Sequence, residues 1–206
     1  MPNRPARPRG PGRHHDERRA EIADAVLAVV VELGLDGVSL TEVARRAGVS
    51  PGRVQHYFPA KQRLIEAAFD RGNELSEARI RERAGGSLEE ARPAEVLRIV
   101  LDELIPYDAA STAHLRVRQS FIARALADEA IAAKLRALYA GFHDRMAALL
   151  SAEQRAGTVP EGLEPRAAAR ALVAQAEGLA SYVLLGVVDA AEARGQLERS
   201  LAELYG

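Results

Sequence analysis

Apolar residues recur along this chain at helical spacing almost throughout. Ile22, Val26, Val29 and Leu33 follow one another at intervals of four, three and four. Such intervals place them on one face of a helix with about 3.6 residues per turn. Gly34 and Gly37 end that helix in a turn. Leu40, Val43, Ala44 and Ala47 then form a short apolar face, stopped by Gly48. Val54 and Phe58 give the next helix its inner side, closed by Pro59, and a longer helix with Ile65, Phe69 and Leu75 follows. Beyond it helix succeeds helix. Breaks are expected at Gly85-Gly86, Pro106, Ala127-Asp128, Gly157–Pro165 and around Asp189. No alternating strand pattern and no internal repeat interrupts them. The pattern predicts an all-α fold of about nine helices, a three-helix head preceding a larger helical body. The expected organisation is a disordered basic arm over 1–15, the head over 16–62 and the body over 63–206.

The boundaries of the short helices carry their own chemistry. Ser39 and Glu42 form an S-x-x-E capping box, in which serine oxygen and glutamate carboxylate satisfy the free amides at a helix start. Ser50 is a good N-cap, and Pro51 suits the first helical position, where its missing N–H costs nothing. Gly48 takes the left-handed conformation that a tight turn needs. Two short helices joined in this way, with Ala44 small at their crossing and Val54 plugging the interior, predict a helix-turn-helix.

In that motif the second helix, here about Pro51 to Phe58, presents its N-terminal end to the major groove. Ser50, Pro51 and Gly52 lie at that end, and Arg53, Gln55 and His56 are the helix's polar members. Arginine makes two bonds to guanine O6 and N7, and glutamine does the same with adenine N6 and N7. Thr41, Tyr57 and Lys61 are placed for phosphate oxygens, which fix register without reading sequence. Arg45 and Arg46 read as a solvated helix face.

The stretch SLTEVARRAGVSPGRVQHYFPAKQRLI, preceded by RRAEIADAVLAVVVELGLDGVSL, resembles the DNA-binding segment of the TetR family of transcriptional regulators over roughly residues 17–70. The resemblance implies a homodimeric repressor whose body binds a small ligand and so changes the spacing of two DNA-reading heads. Lys61 matches the family's usual phosphate-contacting lysine, and Tyr57 an aromatic or histidine position that meets the backbone. Directly after the apolar position held by Val54 the family commonly has tyrosine; this sequence departs from it with Gln55.

Charge sharpens the division of labour. The net charge is −1, yet residues 1–63 hold 11 Lys+Arg against 7 Asp+Glu, and the remainder 17 against 22. A basic front and an acidic rear direct a polyanion to the front. The Arg-Pro-rich arm is expected to add affinity through charge rather than by entering the minor groove.

In the body, Leu172, Ala176, Leu179, Val183 and Val187 form an apolar stripe, flanked by the small Ala168, Ala180 and Gly186, and the last helix adds Leu197, Leu201 and Leu204. Because a palindromic operator requires two copies, these residues are expected to pair across a twofold axis rather than pack on their own body. A ligand pocket, whose place between head and dimer face the resemblance implies, is sought among Tyr107, His114, Arg118, Phe121, Tyr139 and His143. His114, Arg118 and Phe121 share helical spacing, although Phe121 also fits a core role. An aromatic content of 4% argues against a pocket built for flat polycyclic cations.

Other chemistries find no support. The chain has no cysteine, and its five histidines show no metal-ligand spacing. The acid pairs Asp102-Glu103 and Asp128-Glu129 are adjacent, so they diverge on a helix. No phosphate loop or nucleophile elbow occurs. Neither an enzyme nor a cofactor or metal is expected. The longest uncharged stretch of the apolar C-terminal region, Gly178 to Val188, is too short to span a bilayer, and no signal-type apolar run follows the N-terminal cations. A cytoplasmic protein is expected, with duplex DNA, a second copy and a small effector as partners. The rival reading is a helical DNA-binding or protein-binding module with no small effector.

Overall fold

A computed structural model describes the backbone of residues 11–205. Among these residues there are nine helices and no strand. They are α1 Pro11–Leu33, α2 Leu40–Ala47, α3 Pro51–Tyr57, α4 Lys61–Arg83, α5 Pro93–Glu103, α6 Ala109–Ala125, α7 Glu129–Arg155, α8 Pro165–Leu185 and α9 Ala190–Tyr205. No helix among the described residues is long and apolar enough to cross a membrane. The chain divides into two compact units, 1–72 and 73–206, and the division falls inside α4. The first ten residues of the basic arm lie outside the described residues. Residues 11–15, the last five of that arm, are helical.

In the first unit Ile22, Ala23, Ala25, Val26, Val29 and Val30 of α1 are buried, together with Val43, Ala44, Val54, Phe58, Leu64, Ile65, Ala68 and Phe69. Leu33, at the end of the predicted face, is instead 54% exposed. Gly34, at φ 71°, follows it and ends the helix. Ser39 caps α2 by accepting the Glu42 N–H at 3.1 Å. The reciprocal half of the expected capping box does not form. The Glu42 carboxylate turns forward to Arg45, Nε donating at 3.1 Å, because an ion pair three residues along the same face outcompetes a bond back to the amide. Gly48 stands at φ 64° and ψ 32°, the left-handed C-cap anticipated, and the Val49 N–H returns to the Ala44 carbonyl at 3.0 Å. Ser50 accepts the Arg53 N–H at 3.2 Å and Pro51 opens α3.

The second unit is a helical body built from the last part of α4 and α5 to α9. Its core gathers Leu97, Leu101, Ile105, Leu115, Met146, Leu150, Val173, Ala176, Ala180 and Leu197, among others. Acid side chains start its helices. Asp108 caps α6, Asp128 caps α7 and Glu164 caps α8. Pro93 and Pro165 occupy first helical positions. Glu153, buried on α7, accepts the Ala94 N–H at 2.8 Å and so closes the open end of α5.

Candidate nucleic-acid interface and interior polar cluster

The head holds its second short helix by three fastenings. Val54 is fully buried and Phe58 almost so, which pins the inner side of α3. Arg19 of α1 secures the other end. Its Nη1 donates to the Tyr57 carbonyl at 3.1 Å, and its guanidinium lies 4.5 Å from the Phe58 ring centroid. His15 adds a tilted ring contact to Tyr57 at 4.9 Å between centroids. Residue-by-residue reading passed over Arg19 because a partner 38 positions away leaves no local pattern. We expect Arg19→Ala to weaken DNA binding about tenfold without abolishing it, since it removes one charge-assisted bond that orients the helix. Fluorescence anisotropy with a short duplex, beside an unchanged far-UV spectrum, checks this.

The outer side of this helix is open. Thr41, Ser50, Pro51, Gly52, Arg53, Gln55, His56 and Lys61 are exposed, and Tyr57 is half-buried with the His56 ring edge-on at 5.3 Å. Ser50 is engaged as a cap. Apart from Arg19, held by the Tyr57 carbonyl, the described arginines and lysine of the unit separate into two classes. Arg18 pairs with Glu21, Arg45 with Glu42, Arg46 with Glu32, Arg63 with Glu66 and Arg71 with Asp24. Arg53 and Lys61 have no such partner among the described residues. Their charge is therefore free for an external anion. Arg45 and Arg46, read as a solvated face, are exposed and ion-paired.

The proposed ligand residues separate in the body. His114 and Arg118, one turn apart on α6, sit in a polar interior with Glu177 of α8 and Tyr139 of α7. The Tyr139 hydroxyl donates to Glu177 Oε1 at 2.7 Å, and Arg118 Nη1 lies 3.9 Å from the same oxygen. His114 Nε2 is 3.1 Å from Asn73 Oδ1 on α4, and Gln119 donates to the Ser181 hydroxyl at 2.9 Å. Burial, followed by the positive charges of Arg118 and Arg79, pulls the His114 pKa down to about 4, so the ring is neutral. Burial and then the Glu177 charge push the Tyr139 phenol up. Tyr139 and His143, ring centroids 5.8 Å apart, both line a groove of about 780 Å³ between α6, α7 and the start of α8.

Two of the six lie elsewhere. Phe121 is 1% exposed and belongs to the packed interior, with Lys134 5.6 Å over its ring. Tyr107 is 42% exposed, and its hydroxyl donates to Glu103 in a separate network with Arg79.

The expected dimer stripe also divides. Leu172, Ala176, Leu179, Leu197 and Leu201 are buried in the chain's own core, where they touch α5 and α7 rather than solvent. Val183 and Leu204 are partly buried against the same core. Val187 is exposed, but it follows Gly186, which ends α8 at φ 71°. The face of α8 left to solvent carries instead Ala167, Ala171, Ala174, Gly178, Tyr182 and Leu185. The described residues hold no cluster of His, Cys, Asp and Glu suited to a metal ion.

Comparison with known proteins places these features. Residues 22–68 match the description "Bacterial regulatory proteins, tetR family". Residues 93–206, more than half the chain, match "BetI-type transcriptional repressor, C-terminal". The regulator PksA of Bacillus subtilis is 26% identical over 84% of this chain and 82% of its own. The regulator BetI of Serratia proteamaculans is 46% identical, over 25% of this chain and 26% of its own. A TetR-family regulator from Rhodococcus superposes with a TM-score of 0.76 at 25% identity, over 93% of this chain and 100% of that one. The multidrug binding protein EbrR, solved with imidazole, gives 0.60 at 32% identity, over 95% and 97%. A regulator from Saccharomonospora viridis, solved with choline, gives 0.77 at 19% identity over 89% and 95%, a likeness of fold. The helix-turn-helix, the nine-helix order and the two matched halves agree, and the chain belongs to the TetR family of bacterial transcriptional regulators, with a C-terminal half of the BetI repressor type.

Proposed function

We propose that two copies of this chain bind an inverted-repeat operator and repress transcription until a small molecule enters the body. One observation carries the DNA half: among the described arginines and lysine of the head, those with neither a carboxylate nor a carbonyl partner are Arg53 on α3 and Lys61 at the start of α4. Arg53 reads a base edge beside Gln55 and His56. Lys61, Thr41 and Tyr57 hold phosphates, and Ser50, Pro51 and Gly52 let the backbone approach the groove. Arg53→Ala should lose about 1–3 kcal/mol on the cognate site and relax one base preference. Lys61→Ala should weaken all sequences alike and flatten the salt dependence. Recovering bound sequences from random duplex DNA tests the whole reading. An inverted repeat supports it. Salt-dependent binding without sequence preference favours a module that coats DNA with no effector, and equal losses for Arg53→Ala on specific and random DNA contradict its reading role.

The second copy is best placed on the exposed face of α8. Tyr182 at 52%, Leu185 at 75% and Val187 at 62% exposure are large apolar groups left in water, beside a run of alanines and Gly178 that permits close helix approach. Leu185→Glu should convert a dimer into a monomer in a sedimentation run at micromolar concentration, and a wild-type chain already monomeric there refutes the dimer. Two heads in successive major grooves stand about 34–36 Å apart.

The release step is assigned to α4. Arg71 on that helix grips Asp24 in the first unit, and Arg79 on it grips Glu103 in the second, each at 2.7 Å. A ligand that favours one setting of α4 shifts the spacing of the heads. Switching from mostly bound to mostly free asks for about 5 kcal/mol of differential affinity. His114, Arg118, Tyr139 and His143 are the residues proposed to meet the ligand.

A further inference from the structure

Among the described residues, two buried side-chain polar atoms of the body lack a hydrogen-bond partner, the Tyr205 hydroxyl at the end of α9 and Arg118 Nε inside the cluster around Glu177. Tyr139 donates to Glu177, His114 meets Asn73, and Gln119 donates to Ser181. Arg118 differs. Its side chain is 12% exposed, its Nε is buried with no hydrogen-bond partner, and its ion-pair partner among the described residues, Glu177, stands beyond hydrogen-bond reach at 3.9 Å. A guanidinium has five N–H donors in a rigid fork that fits a carboxylate's two oxygens. A buried charge normally arrives with such bonds already made. Glu177 does not supply them: its nearer oxygen, which accepts from the Tyr139 hydroxyl, stands 3.9 Å from Arg118 Nη1.

Tyr139 also belongs to the groove, which pairs an apolar lining, Ile122, Ala125 and Leu135, with Arg166, Arg170 and the mutually paired Arg136 and Glu129. Arg166 is tied to Asp144 at 2.9 Å, whereas Arg170 has no charged partner among the described residues. The groove therefore favours an apolar body bearing negative charge and disfavours a cation.

Building on the ligand-release reading above, we infer that Arg118 is the anchor for the carboxylate of an amphiphilic organic acid, whose apolar part passes Tyr139 into the α6–α7–α8 groove. Bound this way, the carboxylate completes the fork of Arg118, and Glu177 keeps its bond from Tyr139. The single guanidinium, partly offset by Glu177, suits a monoanion rather than a phosphate. The choline held by the Saccharomonospora viridis neighbour is the opposite chemical class.

The test uses the full chain with octanoate, 1-octanol, octyltrimethylammonium and choline as probes. Calorimetry and thermal shift report binding, and anisotropy with the recovered operator reports release. Octanoate should bind tightest. Arg118→Met should weaken it roughly tenfold or more while leaving 1-octanol unchanged, and Arg118→Lys should restore part of the loss. Circular dichroism establishes that both variants fold. Octanoate binding undiminished in Arg118→Met overturns the inference, as does a preference for the alcohol or the cations, or no binding by octanoate. Release of operator by a cation or alcohol but not by octanoate leaves the ligand-release reading standing and removes only the anchor. Arg118-dependent octanoate binding with operator affinity unchanged supports the anchor and removes the release reading.

Discussion

Glu103→Ala is expected to lower the unfolding free energy of the body by about 3 kcal/mol, the lower end of what breaking a buried ion pair costs. The Glu103 side chain is 1% exposed at the end of α5. It accepts from Arg79 Nε at 2.7 Å and from the Tyr107 hydroxyl at 3.2 Å, and Arg83 Nη1 stands 3.7 Å away. Removing it strands the Arg79 guanidinium beside an apolar core and takes one of two carboxylate neighbours from Arg83. Because Arg79 and Arg83 are 29% and 35% exposed, water relieves part of that penalty, which places the cost at the lower end. Arg83 also retains Asp102, which Arg194 of α9 grips from the other side. Urea unfolding at pH 7 measures the difference. A loss under about 1 kcal/mol would class this network with ordinary surface pairs. Glu103→Gln should fall between, keeping an acceptor while surrendering the charge.

The second large effect depends on pH. His114 binds its proton near 6.5 when unfolded and at about 4 when folded. The unfolded chain therefore takes up the proton first as the solution is acidified. The stability tied to a neutral His114 is complete above about pH 6.5 and disappears progressively down to about pH 4. The full span corresponds to about 3 kcal/mol, at roughly 1.4 kcal/mol per pKa unit. Its upper part, down to about pH 5, precedes the titration of most carboxylates and is the clean window. His114→Gln, which still presents polar atoms to Asn73, should flatten the dependence of the urea midpoint there. An unchanged slope would mean that His114 is solvated in the native state. The two effects meet at Arg79, which bonds Glu103 and also helps depress His114. Their double variant should depart from additivity.

Local rules made the head legible. A serine before a proline fixes where α3 starts, and the glycine before it fixes how the chain turns. The core positions Val43, Ala44, Val54 and Phe58 follow from spacing alone. The body was legible as helices but not as faces. Along α8 alanine and leucine occur on nearly every side, so the period identifies a helix without saying which stripe meets the core. Leu172 and Leu179 proved internal, and Tyr182 and Leu185 external. Long-range pairs were invisible for a different reason. Arg118 with Glu177, Arg79 with Glu103 and Arg19 with the Tyr57 carbonyl join residues with no local signature of meeting. The forward turn of Glu42 shows the remaining difficulty. A motif names the groups able to bond, and a neighbouring arginine then decides which bond forms.

The corner between α2 and α3 carries one more consequence. A methyl group built on Gly48 would meet nothing within 4 Å, so volume places no limit there. The constraint is one of chirality: the backbone occupies the region that an L residue enters at about 1–2 kcal/mol. Substitutions at this corner should therefore be penalised almost regardless of bulk, with asparagine the mildest. The tilt at which the recognition segment is presented is thus guarded by the absence of a stereocentre rather than by any contact.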